Sequence, residues 1–276
     1  MTAEVPAFAV RRIIVALESA CENLAALEHA AHLAQRAKAE LHAMFIEDAR
    51  LMEAAALPFT RQINLSSGAL APLEPGKVEE EFRALAARAR RCLQELAGRM
   101  DVAWSFEIVR GGRASALSVT DAGDLLVVES TTRAFGRSLR ISTDWFDMLA
   151  GCGRACLLLG PAKDARRNVL VLHDGSTAGD RAVAAALALG GVDHARLTLG
   201  RTAGAPDADE LRRRFAASPR PLLLRDMAAL DTAELRRAIA AADCGLVVAP
   251  APLVAARQEA LQGFLAAPSC ALLIVT

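Results

Sequence analysis

Residues 168–189, NVLVLHDGSTAGDRAVAAALAL, read as a short apolar strand, a tight turn at Asp174, Gly175 and Ser176, and an Ala-rich helix. The same pattern recurs at residues 12–33, RIIVALESACENLAALEHAAHL, at an offset of 156 and without a gap. Glu18 then answers to Asp174, Leu27 to Val183 and Leu33 to Leu189. A strand that is apolar along its whole length belongs inside a parallel sheet covered on both faces. A strand, turn and helix at the head of each half is how a doubly wound α/β sheet begins, so the chain reads as a duplication.

Working outward, the first half predicts strands at 12–17, 41–46, 103–109, 124–128 and 155–159, with helices at 22–37, 78–98 and 143–150. In the helix over 78–98, Phe82, Leu85, Ala89, Leu93 and Leu96 fall along one side. Residues 47–77 carry prolines at 58, 72 and 75 and no period, and read as a long inserted loop. Its apolar Leu57, Phe59, Ile63 and Leu65 either fold back over the sheet edge or the second repeat, or stay at the surface. The polar connector PAKDARR at 161–167 marks a boundary between a repeat at 1–160 and a shorter one at 168–276. The second repeat predicts strands at 169–173, 195–199, 222–225, 245–249 and 270–275, and helices at 178–189, 207–217, 232–242 and 255–266.

Composition narrows the function. Lys plus Arg and Asp plus Glu both number 32, so no overall basic field attracts nucleic acid. Tyrosine is absent and aromatics make up 4%, which disfavours a base-stacking platform. No apolar run reaches the roughly 20 residues that span a bilayer, and the N-terminus lacks a leader pattern. A cytoplasmic protein with neither membrane nor nucleic-acid partner is expected. The six cysteines, at 21, 92, 152, 156, 244 and 270, form no C-x-x-C pair and have no histidine at ligand spacing, so no metal site is expected.

The order of these elements, found twice, resembles the universal stress protein family, and the local matches are HDGSTAGDRAVAAALAL, ELHAMFIED, DLLVVES and APSCALLIV. The resemblance covers nearly the whole chain, once per half. It implies an adenine nucleotide α-hydrolase-like, Rossmann-like fold: two tandem doubly wound five-stranded parallel sheets with strand order 3-2-1-4-5. Family members pair two domains, so a tandem chain resembling them would supply both halves as an intrachain pseudo-dimer. If the closing strands 155–159 and 271–275 pair within the chain a monomer is expected, and if an edge stays open, a homodimer.

Family members that bind ATP carry G-x2-G-x9-G-[ST] after strand four and use the acidic residue after strand one. Laid on the first repeat, the glycine slots fall at Glu129, Thr132 and Ser142 and the hydroxyl slot at Thr143. All three glycines are missing. Side chains at 132 and 142 restrict the backbone, and a carboxylate at 129 repels a polyphosphate by about a kcal/mol or more. Ser142 or Thr143 also reads as a plain helix cap.

The offset between halves falls to 121 at strand four and 116 at strand five, so the second repeat has lost five residues in the loop after strand four. That loop runs APAPLVAARQEAL with Pro250, which has no N–H, at the first glycine slot. The cofactor-site candidates are therefore Glu18, Gly111, Gly112, Thr132, Ser142 and Thr143 in the first repeat and Asp174, Gly175 and Ser176 in the second. The same turn residues also read as a cap on the helix that follows.

The leading expectation is a non-catalytic stress protein acting as a scaffold for a protein partner or small ligand, without ATP as cofactor. The alternative is a regulatory switch that holds ATP or AMP in the first repeat through Thr143 and the Gly111–Gly112 turn. A hydrolase of related topology comes third, since no G-x-S-x-G, Walker or H-E-x-x-H pattern is present. His173 beside Asp174 is the only acid and base pair at a strand end, and neighbouring strand residues point to opposite faces.

Overall fold

A computed structural model describes residues 8–17, 24–64, 67–111, 120–121, 123–129, 131–134, 137–140, 154–159, 168–189, 195–216, 218, 220–227, 229–265 and 270–276. The chain forms two compact units, one of Arg12–Asp121 with Thr132–Leu139, the other of Met1–Arg11, Ala122–Thr131 and Arg140–Thr276.

The first unit opens with β1 (Arg12–Leu17), α1 (Leu24–Ala37) and β2 (Glu40–Asp48). Ile13, Ile14 and Val15 in β1 and Leu41 to Ile46 in β2 are buried, as continuous apolar strands require. The segment expected to be a loop is structured instead: α2 (Ala49–Ala55) follows β2 directly, and β3 (Arg61–Ile63) and β4 (Leu70–Pro72) form an antiparallel hairpin. Asp48 caps α2 by accepting from the Arg50 amide at 2.9 Å, an N-cap hidden behind the apolar run of β2. Of the two placements open to its apolar side chains the surface one is found: Phe59 is 90% exposed and Leu57 and Ile63 are also solvent-facing; Leu65 lies outside the described residues.

Pro75 then starts α3 (Pro75–Met100) from its first turn, three residues before the apolar stripe begins. Phe82, Ala89, Leu93 and Leu96 are buried as the spacing predicts, and Phe82 meets Phe45 of β2 edge-to-face at 6.4 Å. Asp101 ends α3 in the left-handed conformation, and β5 (Trp104–Gly111) pairs parallel with β2 along its whole length. Within this unit the order is β1-β2-β5.

The second unit takes β6 (Asp124–Glu129) from the first half of the chain. The short strands β7 (Thr131–Ala134) and β8 (Arg137–Arg140) pair with each other next in sequence, followed by β9 (Ala155–Leu159). The helix expected at 143–150 lies outside the described residues. The second repeat then gives β10 (Asn168–His173), α4 (Thr177–Leu189), β11 (Leu197–Arg201), α5 (Ala208–Arg214), β12 (Leu222–Asp226), α6 (Thr232–Ala242) and β13 (Cys244–Pro250). α7 (Ala251–Ala256), α8 (Gln258–Leu265) and β14 (Ala271–Val275) close it. The single helix expected at 255–266 is two helices, and the first starts at Ala251 because Pro252 sits in the first turn, where a missing N–H costs nothing.

The strands of this repeat lie in the order β12-β11-β10-β13-β14, all neighbours parallel. The sheet does not stop at β14. β9 pairs antiparallel with it, Leu272 opposite Leu158 and Ile274 opposite Cys156, and β6 continues the sheet parallel to β9. The small side chains Ala182, Ala185 and Ala186 let α4 lie close on β10, β13 and β14, and all three are fully buried.

Candidate functional site

The second repeat brings its three sequence-predicted residues together at the C-terminal end of β10. Asp174 Oδ1 accepts from the Ser176 amide at 3.0 Å and from the Ser176 hydroxyl at 2.6 Å. Ser176 Oγ in turn accepts from the Gly179 amide at 3.0 Å, so Ser176 caps α4 and Asp174 holds the cap in place. Gly175 sits at φ +86, and a Cβ there would meet the Gly204 carbonyl oxygen at 2.5 Å. This is a position that only glycine fits. Gly204, at φ +95, belongs to the loop after β11 and packs its backbone against Asp174.

Directly before the turn, His173 is fully buried and both ring nitrogens are engaged. The Gly175 amide donates to Nδ1 at 3.1 Å, so Nδ1 holds a lone pair and the ring proton is on Nε2, which donates to Asp180 Oδ1 at 3.1 Å. Asp180 Oδ2 accepts from the Arg214 guanidinium of α5, Phe215 meets the imidazole edge-to-face at 6.0 Å, and Thr202 donates to the His173 carbonyl through both its amide and its hydroxyl. His173 and Asp174 point apart, as neighbours on a strand do. Asp174 faces Ser176, while His173 reaches one helical turn onward to Asp180.

β10 and β13 flank the point where the strand order reverses, the place where open α/β sheets bind ligands. What the site offers there is specific. The amides of Gly175, Ser176 and Gly179 are consumed inside the turn. Pro250, the end of β13 and the N-cap of α7, has no amide hydrogen. The carboxylate of Asp174 already supplies negative charge at the positive end of α4. Its Oδ2 takes no hydrogen bond among the described residues and the residue is half-buried, so the open function is an acceptor.

Glu18, Gly112, Ser142 and Thr143 lie outside the described residues, Thr132 falls in β7, and Gly111 ends β5 opposite Asp48. Among the described residues no group of three His, Cys, Asp or Glu side chains is placed to hold a metal, and no helix is long and apolar enough to cross a membrane. The residues that sequence reasoning missed are Asp180, Thr202, Gly204 and Arg214. Only Asp180 left a signal, as an acid on the buried face of an alanine-rich helix, where a charge needs a partner.

No protein-family model matches the chain, and no curated protein matches it. Solved structures do. A universal stress protein from Archaeoglobus fulgidus DSM 4304 superposes with a TM-score of 0.62 at 10% identity, covering 95% of this chain and 97% of that one. A putative universal stress protein from Pseudomonas aeruginosa UCBPP-PA14 gives 0.57 at 16% identity, covering 96% and 93%. A protein of unknown function from P. aeruginosa PAO1 gives 0.57 at 15% identity, covering 96% and 92%. The chain thus has a universal-stress-protein-like fold, a mixed α/β architecture with a mostly parallel sheet.

Proposed function

We propose that this chain is a non-catalytic, cytoplasmic regulator of the universal stress protein kind, acting in the stress response. Its two related halves, the repeats at 1–160 and 168–276, serve as a scaffold for a protein partner or for a small ligand that presents hydrogen-bond donors. It does not hold ATP. The observation that carries this reading is the chemistry of the turn after β10: the amides of Gly175, Ser176 and Gly179 bonded internally, an open carboxylate oxygen at Asp174, and Pro250 at the end of β13. A triphosphate needs bare amides, and Pro250 has none to offer where the ATP-binding pattern has its first glycine. The antiparallel pairing of β9 with β14 supports a chain that provides both closing strands itself and works as a monomer.

Calorimetry with ATP and AMP in the presence of magnesium tests the proposal. No heat of binding is expected at millimolar nucleotide. Micromolar affinity would refute it and restore the nucleotide switch, and loss of that affinity on changing Thr143 would locate the nucleotide in the first repeat.

A further inference from the structure

In the first unit, two carboxylates, a hydroxyl and an imidazole form a chain across the β2–β5 pair. Ser105 of β5 donates its hydroxyl proton to Glu40 of β2. An ionised carboxylate only accepts, so Ser105 Oγ must take its other bond as an acceptor, and the partner is His42 Nδ1 at 2.8 Å. Nδ1 is therefore protonated. The opposite nitrogen, Nε2, is buried and makes no hydrogen bond, yet it lies 3.5 Å from the Glu107 carboxylate, whose side chain is 47% exposed. A ring with one proton leaves a buried lone pair facing a carboxylate. A ring with two turns the same approach into a charge-assisted N–H···O bond.

Register fixes which groups the imidazole meets. On β5, Ser105 is the direct neighbour of His42 and Glu107 lies two residues further on the same face. On β2 itself the adjacent charge is Glu40. On β1 the neighbour of His42 is the apolar Ile14, and Arg12, the neighbour of Glu40, reaches Asp121 at 3.4 Å. Phe82 of α3 covers Phe45, on the opposite face of β2 from His42. α1 packs on α3.

We propose that His42 is a proton-operated latch on β5. With both nitrogens protonated it ties Glu40, through Ser105, to Glu107 and clamps the N-terminal half of β5 onto β2; when Nε2 loses its proton, Glu107 is released. β5 is the outermost strand of its unit, held on one side only among the described residues. A further side-chain tie is at the far end, where Arg110 donates to Glu47 at 3.2 Å.

The test is amide hydrogen exchange across residues 104–110 of the full chain at pH 5.5 and 8, corrected for intrinsic exchange, in the wild type and in Glu107→Gln. Glutamine keeps the shape and removes the charge at a half-exposed position, so folding is retained. In the wild type, protection of these amides is expected to fall about tenfold more between the two pH values than in Glu107→Gln, the factor set by one charge-assisted bond. Two-dimensional NMR of the imidazole nitrogens is expected to show Nδ1 protonated at both pH values and Nε2 only at the lower one. Equal pH dependence in wild type and variant, or an Nε2 that stays unprotonated at pH 5.5, would overturn the latch.

Discussion

Replacing Gly175 by alanine is the sharpest single perturbation of the turn. The residue lies at φ +86, where a Cβ costs about 1 kcal/mol. That Cβ would also stand 2.5 Å from the Gly204 oxygen, 3.3 Å from its carbonyl carbon and 3.4 Å from the Ala205 Cα. All three are backbone atoms that cannot rotate aside, so the loop after β11 has to move, at about 1–3 kcal/mol. Alanine recovers about 0.4–1 kcal/mol by restricting the unfolded chain. The net loss is about 1–3.6 kcal/mol, which at a urea slope of about 2–3 kcal/mol/M for a chain of this size lowers the midpoint by roughly 0.3–1.8 M. Movement of residue 175 also pulls its amide from His173 Nδ1, so exchange protection in β10 and α4 should fall with it. Gly179→Ala is the control. Its Cβ meets only side-chain atoms, Asp174 Oδ1 at 3.0 Å and His173 Cδ2 at 3.2 Å, and helix propensity returns about 1 kcal/mol. Equal midpoints for the two variants would refute the argument that the turn is built on a backbone contact only glycine permits.

Asp180→Asn should cost about 2–4 kcal/mol, because one carboxylate serves both the buried His173 and Arg214 and an amide cannot replace it toward both; chemical denaturation reads the loss. Phe59→Ser should change stability by less than about 0.5 kcal/mol while Phe82→Ala costs about 3–5 kcal/mol, since the first side chain is 90% exposed and the second 2%. Burial pushes the Cys244 thiol up to about 12 from 9.0, with the nearby Cys270 and Asp243 adding to the effect. Above pH 9 the unfolded chain thus loses a proton that the folded chain keeps, and stability falls with rising pH by up to about 1.4 kcal/mol per unit until pH 12. That part of the slope should vanish in Cys244→Ala, measured against the wild type by urea titration at each pH.

The elements that could be read from the sequence are those whose local pattern and tertiary role agree. The apolar runs of β1, β10 and β14 are buried on both faces, and the turn at residues 174–176 has the Asp, Gly and Ser that its geometry requires. Residues 47–77 escaped because their elements are short: α2 has seven residues and each strand of the β3–β4 hairpin three, too few to show a period. Prolines misled as well. Pro75 and Pro252 start helices rather than interrupt them, so α3 and α7 begin earlier than an apolar stripe reveals. At the site, Asp174 and Ser176 act on each other across two residues, a distance that sequence can resolve. Arg214 reaches Asp180 from 34 residues away and Gly204 meets Gly175 from the neighbouring loop, and such contacts exist only once the parallel strands set their register.

The central claim, that the turn after β10, with the Gly175, Ser176 and Gly179 amides bonded internally and the Asp174 carboxylate beside them, does not recruit phosphate, is open to direct observation. Amide resonances of Gly175, Ser176, Thr177 and Gly179 would be followed by NMR while inorganic phosphate and then magnesium ATP are raised to millimolar concentration. The account predicts no saturable shift of these four amides. A saturable shift centred on them, abolished in Asp174→Ala, would contradict it.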